Sequence, residues 1–264
     1  IPSRLVGSEM CIRDRIHQGK VATIELNVPP VNAFNSEEWH QFAKLVDDLS
    51  FSEEVNSLVI RAQGKGFCAG VDIKELQKDA DKIYEVNDGC WKLGRAIHNC
   101  NVPVISACHG FVLGGGILIA GASDIVLATK DAYFGLPEID RGALGGGAHL
   151  SRLFSLQKVR KMMFTGEPIS ATEAFEFGSI ESLYDDMDQL HKAANKLAET
   201  IASKSSVAVN LAKKALNQIE FSNVDEDYKL EQNFTLELYQ SSDSQEARDA
   251  FVEKRDAKFN NNED

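Results

Sequence analysis

Along Val21-Ala-Thr-Ile-Glu-Leu-Asn27 apolar and polar residues alternate with the two-residue period of a strand, and Pro29-Pro30 ends the run. Asn35 or Ser36 then caps a predicted helix through Val46, with Glu37 and Glu38 in its electropositive first turn. Val55 to Ala62 is a second strand. From Asp72 to about Ile97 the pattern is helical, and Gly89 is expected to break it. Two further apolar runs, Val102 to Cys108 and Asp124 to Thr129, read as buried strands. Strands alternating with helical segments predict an α/β core with parallel pairing, which binds ligands at the strand C-terminal ends.

Beyond Gly147 the pattern is almost wholly helical. Ser170-Ala-Thr-Glu173 reads as a capping box opening a short helix that stops at Gly178, and a brief apolar segment spans Ile180 to Leu183. Leu190, Ala193, Ala194, Leu197 and Ile201 mark one helix face. Val207, Leu211, Ala215, Leu216 and Ile219 mark the next, and Phe234, Leu238 and Tyr239 sit on a more polar helix. Such thin stripes either cover the sheet or meet another subunit.

The chain has 264 residues, enough for one sizeable core with a helical appendage. A net charge of −12 argues against a nucleic-acid partner and disfavours an anionic membrane surface. Val102 to Ala122 is nearly uncharged, yet Pro103, His109 and five glycines interrupt it, so no membrane span is expected. Cys11, Cys68, Cys90, Cys100 and Cys108 stand singly, which supports neither a disulfide framework nor a metal site and points to a reducing, cytoplasmic interior. Residues Ile1 to Arg15 lack periodicity and a signal-peptide pattern and resemble translated sequencing-adapter sequence. They are expected to lie outside the fold as a non-native or loosely packed segment.

Two glycine-rich turns carry the candidate chemistry. Gly64-Lys-Gly-Phe-Cys-Ala-Gly-Val71 and His109-Gly-Phe-Val-Leu-Gly-Gly-Gly116 each follow a strand-like run, and glycine lets a turn aim backbone amides at a ligand. If the turns converge, they present two N–H donors to one acyl oxygen. Gly64-x-Gly66-x-x-Ala69 also fits a dinucleotide fingerprint, but the stretch about 20 residues on, where that fold needs a strand ending in an acid, is the helix-like Lys74 to Val86. His149 on a helix, His109 before the second turn and Cys68 within the first read more simply as packing residues than as bases or nucleophiles.

Gly66-Phe-Cys-Ala-Gly-Val-Asp-Ile-Lys-Glu75, Pro103-Val-Ile-Ser-Ala with the glycines to Gly116, Phe134-Gly-Leu-Pro-Glu138 and Ala250-Phe-Val-Glu-Lys-Arg255 together resemble the crotonase superfamily of enoyl-CoA hydratases and isomerases. The likeness runs from about Gly19 to Phe259. It implies an α/β fold with a spiral ββα core over residues 16–200 and a C-terminal helical region over 201–264 used in trimerisation, giving a homotrimer or a dimer of trimers. It also implies an acyl-CoA substrate whose coenzyme A is the only cofactor-like group, and no metal. By position, the amides of Val71 and Gly115 become the oxyanion donors. The backbone at Phe67 and Ala69 becomes the adenine site, and Lys74, Lys254 and Lys258 become phosphate contacts.

The departures from the family pattern bear on the reaction. Hydratases carry a glutamate two residues after Gly116, where this chain has Leu118. The second family glutamate aligns with Glu138, and Asp140 is an added carboxylate two residues on. Glu138 and Asp140 are the expected acid/base pair, with the Gly146 N–H orienting a water. Two-glutamate syn-hydration is disfavoured, whereas an isomerase shuttling one proton and a hydrolase of a thioester or of a C–C bond β to a carbonyl both fit. The run Phe134 to Gly145 with Leu118 looks most like a bacterial subgroup that opens steroid-derived ring acyl-CoAs, which favours hydrolytic ring cleavage. A non-catalytic acyl-CoA-binding scaffold is the remaining reading.

Overall fold

The computed structural model describes residues 12–17, 19–221 and 223–259. After β1 (Ile12–His17), the chain runs through repeated strand, strand, helix units. β2 (Val21–Leu26) leads to β3 (Ala33–Phe34) and α1 (Ser36–Ser50), and β4 (Ser57–Ala62) leads to β5 (Gly70–Val71), α2 (Ile73–Lys78) and α3 (Lys82–His98). β6 (Val104–Cys108) leads to β7 (Phe111–Leu113) and α4 (Gly115–Ala122). β8 (Ile125–Thr129) leads to β9 (Tyr133–Gly135), a 3-10 turn at Pro137–Arg141, α5 (Gly147–Leu153) and α6 (Leu156–Thr165). Next come β10 (Ile169–Ser170), α7 (Ala171–Glu176), β11 (Ser182–Tyr184), α8 (Met187–Ala202), α9 (Ser206–Ile219), α10 (Val224–Tyr239) and α11 (Ser242–Glu253).

The first strand of each unit joins one sheet of order β1-β2-β4-β6-β8-β11, parallel from β2 onward. The second strands pair with each other instead, β3 with β5 and β7 with β9, and a Cys68–Val112 bridge links the two sets. The result is a spiral of ββα turns. Both faces of the main sheet are covered, as parallel pairing requires. Ile24, Leu58, Ile60 and Val104 point into the larger core beneath α1, α3 and α4, while Val21, Val59, Ile105 and Leu127 point to α8. Leu190, Ala194, Ala198 and Ala202 recur every four residues on α8, and their small size lets the helix lie close on the sheet.

Local chemistry explains the helix ends. Asn35 caps α1 by accepting from the Glu38 N–H at 2.9 Å while the Glu38 carboxylate accepts from the Asn35 N–H at 2.8 Å. Ser170 forms its half of the second box, but Glu173 turns its carboxylate to Lys158 at 2.7 Å. Gly89 does not break a helix. It lies inside α3, where a Cβ would stand 2.8 Å from that of Trp39, so this glycine permits close approach to α1, and the break falls before Lys82.

One further expectation changes, and one open alternative is narrowed. Ile12 to Arg15, set aside with the N-terminal segment, lie in β1, which pairs antiparallel with β2 from Ile12↔Leu26 to His17↔Val21. Strand pairing is a main-chain interaction, so a sequence of weak periodicity can still occupy a sheet edge. The rest of the segment lies outside the described residues. On α9 the apolar stripe does not cover the sheet: Val207, Leu211, Leu216 and Ile219 are exposed. The helix is anchored by its opposite face, where buried Lys213 donates to Asp124 at 2.7 Å and to the Ile97 and Val102 carbonyls. No described helix is long and apolar enough to cross a membrane.

Candidate active site

Where the spiral meets the C-terminal helices, a cavity opens. β5 contributes Val71, the start of α4 contributes Gly114, Gly115 and Leu118, and the 3-10 turn contributes Glu138 and Arg141. Ile83, Val86 and Cys90 of α3 form an apolar wall, and Tyr228, Tyr239 and Arg248 close it from α10 and α11. It is a concave, mostly apolar site with few polar groups, the usual form of a small-molecule pocket.

The two glycine turns come together here. Among the described strands β5 pairs with β3 alone, and the Asp72 N–H donates to the Phe34 carbonyl at 2.8 Å. In a parallel ladder that bond leaves the intervening Val71 amide turned away from β3. Gly115 opens α4, so its N–H has no partner within the helix. A Cβ placed on Gly70 would lie 3.0 Å from the Gly115 nitrogen, which shows how closely the turns approach. Gly114 holds φ at 53°, and a Cβ there would strike Glu138 Oε1. A larger residue would therefore both strain the backbone and displace the carboxyl.

Glu138 is the principal ionisable group of the cavity. Its Oε2 is buried and has no hydrogen-bond partner in the structure. Burial pushes its carboxyl up to about 7; its own backbone N–H and Arg141 oppose the rise, and Glu231 adds to it. A carboxyl poised there can take or return a proton near neutral pH.

Asp140, expected beside it, is not in the cavity. It is exposed on the far side of the 3-10 turn, where a Cβ on Gly166 would come 2.5 Å from its Oδ2. Three residues per turn put positions i and i+2 on different faces, so the pair splits. Gly146 lines the cavity, and its N–H helps to stabilise the charged form of the Glu231 carboxylate. Glu231 also accepts from the amides of Gly147 at 2.8 Å and Ala148 at 3.1 Å, capping α5 from α10. Leu118 is buried and lines the cavity, at the position where the family resemblance puts the other hydratase carboxylate.

Phe67 and Ala69 turn their amides inward, to the His109 and Phe111 carbonyls and to those of Val31 and Asn32, so these N–H groups are already paired. Lys74, Lys254 and Lys258 are exposed, one on α2 and two beyond α11. His149 is buried against the Tyr228 ring at 4.7 Å, and burial, with Arg152 and His98, lowers it to about 3. The Cys68 thiol is raised to about 12 by burial and is inert filler. Among the described residues no cluster of His, Cys, Asp and Glu suits a metal ion.

Tyr228, Glu231 and Arg248 escaped the sequence reading because they are remote in the chain from both turns. Only Arg248 left a trace: it is a cation on the stripe formed by Ser244, Ala247 and Phe251 at helical spacing.

This spiral of ββα units is the crotonase fold. The enoyl-CoA hydratase/isomerase family profile matches residues 16–262. A (7aS)-7a-methyl-1,5-dioxo-2,3,5,6,7,7a-hexahydro-1H-indene-carboxyl-CoA hydrolase of Mycobacterium tuberculosis is 41% identical over 236 residues, covering 89% of this chain and 95% of that protein. A short-chain-enoyl-CoA hydratase of Clostridium acetobutylicum is 33% identical over 245 residues, with 90% and 93% covered. Among solved structures, an enoyl-CoA hydratase from Mycobacterium avium subsp. paratuberculosis matches with a TM-score of 0.84 at 25% identity, covering 96% of this chain and 99% of that one. The chain belongs to the enoyl-CoA hydratase/isomerase family and is an acyl-CoA enzyme of the crotonase superfamily.

Proposed function

We propose that this enzyme opens a ring of a cyclic β-ketoacyl-CoA by hydrolysing the bond between the thioester α-carbon and the ring ketone. The observation that carries the reading is Glu138: a buried carboxyl raised to about 7, facing Gly114, in a cavity whose other carboxylate position is Leu118. Glu138 takes a proton from water as the water oxygen adds to the ring ketone. Collapse of the tetrahedral adduct expels the thioester enolate, and Glu138 returns the proton to the α-carbon. The Val71 and Gly115 amides hold the enolate oxygen. Each aimed donor is worth roughly 3 kcal/mol in comparable sites. The cyclic diketo acyl-CoA hydrolase named above supports this choice of substrate class.

An isomerase reading is favoured by the same solitary carboxyl, since moving one proton across an allylic system needs only one base. Mass spectrometry separates the two: incubation with cyclic β-keto- and straight-chain enoyl-CoAs in heavy-oxygen water yields a ring-opened product carrying the label if the proposal holds. Rearranged enoyl-CoA without label points to the isomerase. Binding of both substrates without turnover points to a scaffold.

The proposal calls for no cofactor beyond the substrate's own coenzyme A. Lys74, Lys254 and Lys258 serve its phosphates, and the backbone at Phe67 and Ala69 its adenine. The exposed stripe on α9 supports a homotrimer or dimer of trimers, and the four buried free cysteines suit a cytoplasmic, reducing setting.

A further inference from the structure

Arg248 is only 2% exposed, yet it forms no ion pair with any described carboxylate. Its partners are neutral. One terminal nitrogen donates to the Ser244 hydroxyl and the other to Gln245 Oε1 at 2.7 Å, its plane stacks on Tyr239 at 4.2 Å, and its Nε has no partner. A buried guanidinium without an anion is costly unless something completes it. This one lines the cavity that holds Glu138. It is also tied to the catalytic loop, because the Ser244 hydroxyl donates in turn to the Gly142 carbonyl just after the 3-10 turn.

We propose that Arg248 is a specificity-determining residue whose guanidinium binds a second oxygen of the acyl group, distinct from the thioester oxygen. The inference rests on the hydrolytic reading: that oxygen is the ring ketone of the substrate, becomes an oxyanion when water adds to its carbon, and ends as the carboxylate of the opened product. A planar fork of donors suits each of these states. Arg141, which also lines the cavity, stacks on Phe251 at 4.5 Å and lies three residues from Glu138, so it acts mainly on the base.

Equilibrium binding of two unreactive probes tests this independently of turnover. Heptanedioyl-CoA and heptanoyl-CoA differ only in a terminal carboxylate. The wild-type enzyme should bind the first at least about tenfold more tightly. Arg248→Gln should abolish that preference while heptanoyl-CoA binding stays within about twofold, which also shows that the variant is folded. Arg248→Lys, with charge but no fork, should keep part of it. Equal binding of the two probes by wild type overturns the proposal, whatever the variants do. So does a preference that survives Arg248→Gln, and one that disappears in Arg141→Gln but not in Arg248→Gln moves the role to Arg141. If the probes behave as expected but no ring opening occurs, the hydrolytic reading fails and the second-oxygen site stands.

Discussion

Replacing Glu138 by Gln should remove activity and, at alkaline pH, make the protein more stable. A carboxyl raised from 4.5 to about 7 by burial holds its proton in the folded state over the interval where the unfolded chain has already released it. Folding stability therefore falls as pH rises through that interval. At about 1.4 kcal/mol per pH unit, the full effect is about 3 kcal/mol, of which about 2.5 develops between about pH 5 and about pH 8. Glutamine keeps the shape without the charge. Its amide nitrogen, standing where Oε2 has no partner, takes back about 1 kcal/mol at either pH. Urea unfolding of both proteins at the two pH values isolates the effect, because other titrating groups cancel in the double difference. The same ionisation sets catalysis: wild-type kcat/KM should fall about tenfold per pH unit below about pH 7, since the base must be deprotonated. A Gln variant whose stability advantage is equal at both pH values, together with a kcat/KM that stays flat down to about pH 5.5, would refute the assignment of Glu138 as a buried base.

Asp140→Asn should leave kcat within about twofold of wild type, because the side chain is outside the cavity; a loss beyond about a hundredfold would show that Asp140 reaches the substrate. Glu231→Ala frees the two amides at the start of α5 and should lower stability by roughly 1–3 kcal/mol in denaturant melts, with kcat reduced because the loop after Glu138 loses its anchor; an unchanged melt contradicts the cap. Leu211→Asp places a charge on the exposed stripe of α9 and should shift the native mass toward the 29.1 kDa single chain in light scattering, whereas an unchanged assembly would put the interface elsewhere.

The linear chain was most informative where the deciding forces are local. The alternation in β2, the apolar runs that became β4, β6 and β8, and the Asn35 cap all depend on residues within a few positions of one another, and each element formed within a few residues of its expected bounds. Both glycine turns were legible for the same reason, whereas Glu138 was legible through the family resemblance. The conformation of the turns is written into the residues that adopt it.

Tertiary packing decided the rest. Gly89 carries the same local signal as a helix break, and only the approach of Trp39 shows it to be a contact. Asp140 was inseparable from Glu138 by composition, and the three-residue turn sent the two carboxylates to opposite sides. The raised Glu138 carboxyl, the cap from Glu231 and the unpaired guanidinium of Arg248 all depend on α10 and α11 returning to a site built more than 80 residues earlier. Desolvation and long-range polar contact are properties of a folded volume, and a one-dimensional pattern of residues does not contain them.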